Sequence, residues 1–161
     1  MSLAPMMTRN AWALACAVIC LGCTSGQEVW SSDPTEFPFA YIHDDCAPWD
    51  GHAITIVLSH QELAGPYEAN FPFVRITSWR PPTELAGSSL GWTGIAHDLG
   101  YASWCDAEDS CLTASAVRVR FERGQTSSDA LEGQLHLEFE GGRAVSGAFN
   151  ARRLSQQALC G

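Results

Sequence analysis

The sequence predicts an all-β domain, a small antiparallel β-sandwich or partly open barrel with a C-terminal meander and two disulfides. Three observations predict it. Consecutive C-terminal segments alternate apolar and polar residues with period two. No segment sustains helical periodicity for about three turns. Once the N-terminal stretch is set aside, an even set of cysteines remains, Cys46, Cys105, Cys111 and Cys160.

The C-terminal strands are the clearest. AVRVRFE (116–122) sets Val117, Val119 and Phe121 against Arg118, Arg120 and Glu122. LHLEFE (135–140) sets Leu135, Leu137 and Phe139 against His136, Glu138 and Glu140, and AVSGAFNA (144–151) puts Val145, Gly147 and Phe149 on one face. Parity then decides the turn between the last two. A two-residue Gly141-Gly142 turn would send Val145 and Phe149 to the face opposite Leu135 and Leu137. A three-residue loop, Glu140, Gly141 and Gly142, instead sets Leu137 against Val145 and Gly133 against Phe149. Gly142 then takes the left-handed position of a bulged hairpin, where lacking a Cβ costs nothing.

Upstream, AITIVLS (53–59) is β-branched without polar alternation, as in a strand buried on both faces. FVRITSW (73–79) is a further strand with Pro72 at its start, where a missing N–H is tolerated. LGWTGIA, lying between glycines, is a short fifth strand. Gly65-Pro66 stops any helix that the capping spacing of Ser59 and Glu62 begins. About six to eight strands are expected in all.

The nine basic residues are all arginine, against eighteen carboxylates, for a formal charge of −9. So acidic a chain repels phosphate backbones, which excludes nucleic acid as a partner. Arg9 is the one charge before Glu28, and it precedes the apolar run AWALACAVICL (11–21). That run has the length of a secretory h-region and is too short for a bilayer core of about 30 Å. Met1, Met6 and Met7 are alternative starts.

The run closes on CLGC, Cys20 to Cys23. This resembles the lipobox of bacterial lipoproteins, with a small residue, Gly22, before the cysteine. Cys20 departs from the leucine usual at its position but is still apolar. The resemblance implies a signal peptide over 1–22, diacylglyceryl attachment to the Cys23 thiol, and a lipid anchor in the membrane. Thr24, in place of aspartate, implies the outer membrane. Residues 23–39, polar and proline-containing, read as a tether, and 40–161 as the folded domain. Loss of 1–22 removes one arginine and leaves a charge of −10. EGQLHLEFEGGRAVSGAFNA (132–151) is also similar to the closing hairpin of small β-rich bacterial lipoproteins of unassigned role, and carries no catalytic residue with it.

Cys16 and Cys20 leave with the signal and Cys23 takes the lipid, so four cysteines stay in an oxidising compartment. They allow three pairings, of which Cys105 with Cys111 and Cys46 with Cys160 is the expected one. The first closes the short CDAEDSC loop. The second joins the domain's ends, a loop of about 115 residues worth about 4–5 kcal/mol by chain entropy. Zinc ligation would need C-x-x-C spacing or histidine partners at ligand spacing, and neither spacing appears around these four cysteines.

Chemistry-bearing motifs are few. HDDCAPWDGH (43–52) gathers His43, Asp45, Asp50 and His52, together with Asp44, in ten residues. Such groups bind a divalent cation or form an acid–base pair when they share a cleft, although turn chemistry already explains Pro48, Asp50 and Gly51. GSSLG (87–91) matches a nucleophile elbow at Ser89, but no helix follows and the chain is too short for that fold. Asp106, Glu108 and Asp109 in CDAEDSC offer oxygens but not the order of a calcium loop, and read as an acidic loop tip. Trp79 is expected in the core, Trp49 and Trp104 against the neighbouring disulfides, and the Arg152–Arg153 pair on internal carboxylates. Exposed together, two or three aromatics would form a platform for a sugar or a protein.

The expectation is an exported, lipid-anchored envelope protein, a non-enzymatic binding or structural module without catalytic residue, metal or cofactor. Its partner would be an envelope protein or glycan. The alternative is a small secreted hydrolase or metal-binding protein using residues 43–52. An enzyme would gather those side chains in one cleft, whereas a binding module would expose an aromatic or acidic patch.

Overall fold

The computed structural model describes residues 30–63, 65, 71–94, 98–123, 130–154 and 160. The signal stretch and Cys23 lie outside them. The described residues form eight strands: β1 (Phe39–Cys46), β2 (His52–Ser59), β3 (Phe73–Ser78), β4 (Ser89–Thr93), β5 (Gly100–Ala107), β6 (Ser110–Phe121), β7 (Ala130–Phe139) and β8 (Ala144–Arg153). None of their helices is long and apolar enough to cross a membrane.

The strands close on themselves. Around the wall the order is β6, β5, β3, β2, β1, β8, β7 and back to β6, with β4 added on β6. The expected sandwich or partly open antiparallel barrel is therefore corrected to a closed seven-stranded mixed barrel with one extra strand. The difference lies in one contact. β1 runs parallel to β8, with Ala40 opposite Ala151 and Ile42 opposite Arg153. Without it both strands would be open edges with unpaired N–H and C=O groups. β6 is long enough to serve three partners. Ser110–Thr113 pair with β5 and Ala116–Arg120 with β4 along one edge, while β7 takes the other.

The inward residues of the alternating strands fill the barrel. Val117, Val119, Phe121, Leu135, Leu137 and Val145 are buried there with Ile54, Ile56, Leu58, Val74 and Ile76. Leu137 faces Val145 and Gly133 faces Phe149, as parity requires. The loop is Glu140–Gly142, closed by the Phe139 N–H donating to the Arg143 carbonyl at 2.8 Å. Both Gly141 and Gly142 have positive φ, 79° and 80°, not Gly142 alone.

Two expectations about the chain are revised. Phe37, assigned to the tether, is 4% exposed in the core, and just before it the Thr35 N–H donates to the Ala148 carbonyl at 3.0 Å while the Ala148 N–H donates to the Asp33 carbonyl at 2.7 Å. The folded unit thus begins several residues before 40. Trp104 also lies in the core, against Phe37 and Phe139, instead of on a disulfide. Alternation is the cause, since Cys105 opposite Cys111 must point away from its neighbour.

The disulfides are Cys46–Cys160 and Cys105–Cys111. The first spans 114 residues and fastens the end of the chain beside β1. The second crosses the β5–β6 hairpin, whose tip is Glu108-Asp109.

The outer face of β1–β2–β3 is covered, which explains why β2 is buried on both sides. Tyr41 and Val57 pack with Leu63 and Leu154 outside the barrel. The Tyr41 hydroxyl accepts from the Leu63 N–H at 3.0 Å, and Arg152 lies 5.2 Å over the Tyr41 ring while reaching Glu62 at 3.2 Å.

Candidate functional site

The turn from β1 to β2 carries the densest set of polar candidates, and strand alternation divides them. His43 and Asp45 point out of the barrel with Tyr41, while Asp44 points with Ile42 toward its open end. His43 is buried, its Nδ1 donating to the Asp44 carbonyl at 3.0 Å. Asp45 accepts from its neighbour's N–H, Cys46, at 2.8 Å and from the Thr55 hydroxyl at 2.7 Å. A hydroxyl has one proton, so Thr77 must donate to Thr55 across their 2.8 Å contact. This chain of hydrogen bonds ties β1, β2 and β3 together. Asp50 is exposed in the turn at φ 59°, and His52 faces the barrel end. The four candidates do not share one cleft. Among the described residues no three His, Cys, Asp or Glu side chains are grouped to hold a metal ion.

Asp44 and His52 do belong to a cavity of about 350 Å³ at the barrel mouth. Ile42, Ile54 and Leu131 form its apolar floor, and Arg153 pairs with Asp44 at 3.3 Å on its rim. The β3–β4 connection supplies the opposite wall with Glu84 and Leu85. The cavity has room for a small amphipathic molecule, but Arg153, the arginine among its described lining residues, is already engaged by a carboxylate.

The other motifs are dispersed. Ser89 lies exposed on β4, in a strand and not at the tip of an elbow. His136 donates to Glu138 at 3.0 Å on the outer face of β7. Asp106 accepts from the Trp104 indole N–H and lies 3.7 Å from Arg143.

Aromatic side chains that the core does not take up gather on the outer face, at the β1–β2 turn, the end of β3 and the start of β5. Trp49, Trp79 and Tyr101 stand in a row, with centroids 5.7 Å and 6.1 Å apart. The backbone places each. Trp79 continues the outward series of Phe73, Arg75 and Thr77, and Tyr101 is registered against Thr77. The Trp79 N–H donates to the Leu99 carbonyl at 2.9 Å, tying the two connections together. Trp49 lies against its own turn at Gly51, where a Cβ would stand 2.6 Å from the indole nitrogen.

Trp49 is 49% exposed, Tyr101 39% and Leu99 37%. Trp79, expected in the core, is half-buried within this row, because its position parity points it outward. The rings are tilted by 80° and 54°, so they form a stepped surface, not a flat platform. Arg80 stands 5.5 Å over Trp49. Further along the same face Phe71 and Phe73 lie 5.2 Å apart with Arg75 5.5 Å over Phe73. Leu99 and Tyr101 carry no motif, and only the pairing of β3 with β5 reveals them as neighbours of Trp79. No protein family, no curated protein and no solved structure matches this chain.

Proposed function

We propose that this protein is an exported envelope module, anchored through a lipid on Cys23, that binds a partner on the outer face of its barrel. The row of Trp49, Trp79 and Tyr101, exposed at Trp49 and Tyr101, carries the reading. Large rings left in water beside a filled core are costly unless something covers them, and they present much contact area with little rotamer freedom to lose. The two disulfides are consistent with an oxidising compartment. The division of His43, Asp45, Asp50 and His52 over two faces favours binding over the alternative of a hydrolase built on them.

Two measurements on the full chain test this. The intact mass of the membrane-extracted protein should begin at a diacylglyceryl-modified Cys23 and rise by about four hydrogens on reduction of two bridges. A mass without lipid would overturn the anchor. In detergent the chain should co-sediment with isolated envelope fragments, and Trp49→Ala with Tyr101→Ala should abolish this while leaving the melting temperature within a few degrees. Undiminished sedimentation of that variant would overturn the binding face.

A further inference from the structure

We infer that the outer face of β3 and β5 binds an acidic oligosaccharide, its sugar rings on the aromatic steps and its carboxylates on Arg75 and Arg80. The inference deepens the binding reading above and rests on it. Its starting point is the charge economy of the molecule. Without residues 1–22 the chain has eight arginines for eighteen carboxylates. Arg143, Arg152 and Arg153 meet Asp106, Glu62 and Asp44 within 4 Å. Arg75, Arg80, Arg120 and Arg123 meet no carboxylate within that distance among the described residues, and of these four Arg75 and Arg80 each stand over an aromatic ring.

A guanidinium laid over a ring keeps its in-plane N–H donors pointing outward, which suits bidentate capture of a carboxylate. The two arginine–aromatic units lie on one face and are not redundant. Arg75 is four residues from Trp79 along the strand, about 13 Å at the rise of an extended chain. An extended chain of a few sugar units is long enough to span that distance. The stepped rings fit the same ligand, because pyranose faces pack on aromatic faces and successive sugars in a chain are rotated against one another. Asp50 and Asp98, in the turns beside Trp49 and Leu99, would repel the ligand and so limit its strength. The rest of the acidic surface would repel it too, confining it to this face.

The test titrates the full chain in detergent with an oligogalacturonate of about six units, following tryptophan fluorescence, against a neutral gluco-oligosaccharide of equal length. The acidic oligomer should bind and the neutral one bind at least about tenfold more weakly, with the difference shrinking as salt rises. Arg75→Gln with Arg80→Gln should weaken the acidic oligomer about tenfold or more and leave the neutral one unchanged. Arg80→Gln alone, at an exposed position, should give part of that loss and guards against a folding defect at the half-buried Arg75. Asp50→Asn should tighten binding.

Equal, salt-insensitive affinity for both oligomers would overturn the charge assignment while leaving the aromatic face a binding site. Failure of both oligomers would overturn the carbohydrate assignment, even with envelope binding still lost in the Trp49 and Tyr101 variant. Loss of the envelope result itself would remove the binding reading beneath both.

Discussion

Along β7 and β8 the side chains that leave the barrel wall enter water, whereas along β1, β2 and β3 most are covered. Glu132, Glu138, Ser146, Asn150 and Arg152 are exposed. On the other side Ala53, Thr55, Val57 and Ser59 are essentially inaccessible, as are Tyr41, His43 and Thr77. Both regions belong to one closed wall with the same inward core. The difference comes from Leu63 and Leu154, which lie over Tyr41 and Val57, and from Cys160, bound to Cys46. A barrel wall thus has one obligatory dry side, and its second side is dry only where the chain returns over it. Where the cover stops, at the ends of β3 and β5, the aromatic row begins.

If the bridge holds the cover in place, its removal should have the largest effect. Cys46→Ser with Cys160→Ser should cost about 4 kcal/mol in urea unfolding, the value expected for so long a loop. Hydrogen exchange should then quicken along β2 while β7 stays protected. A loss below about 1 kcal/mol would mean that packing alone keeps the cover on.

The two dry sides can be compared by truncation. Leu137→Ala inside the barrel should cost about 3–4 kcal/mol, and Val57→Ala beneath the cover about 2 kcal/mol. An effect of Val57→Ala near zero would show that the outer cluster is water-accessible in solution. Tyr41→Phe removes the acceptor of the buried Leu63 N–H and should cost about 1–2 kcal/mol. Smallest is Asn150→Ala on the wet face of β8, within about 0.5 kcal/mol by thermal melting.

The same contrast governs how much of the fold the sequence reveals. β7 and β8 are legible to the residue, including a register decided by hairpin parity, because one face is wet and polarity records it. β2 is legible as a doubly buried strand from its β-branched run. β1 is not, since FAYIHDDC mixes inward Ala40 and Ile42 with an outward Tyr41 and His43 that are themselves buried. β5 is masked in the same way, its Trp104 pointing in, its Cys105 bridged across the hairpin and its Tyr101 exposed. Of the candidate site, Trp49 and Trp79 are visible as tryptophans, but their exposure depends on which strand lies beside which. The polar set at 43–52 looks concentrated in sequence and is split by a strand whose neighbouring side chains oppose each other.

Local rules were enough for the all-β class, the strands of the meander, the three-residue loop and the Cys105–Cys111 bridge, because each depends on period, parity or loop length read over short stretches, and Cys46–Cys160 is then the pair that remains. Tertiary structure alone decided the closure through β1 and β8, the cover over β2 and the meeting of Trp49, Trp79 and Tyr101. These join residues far apart in the chain, and hydrophobic burial rewards such contacts by area without leaving a periodic mark in either partner.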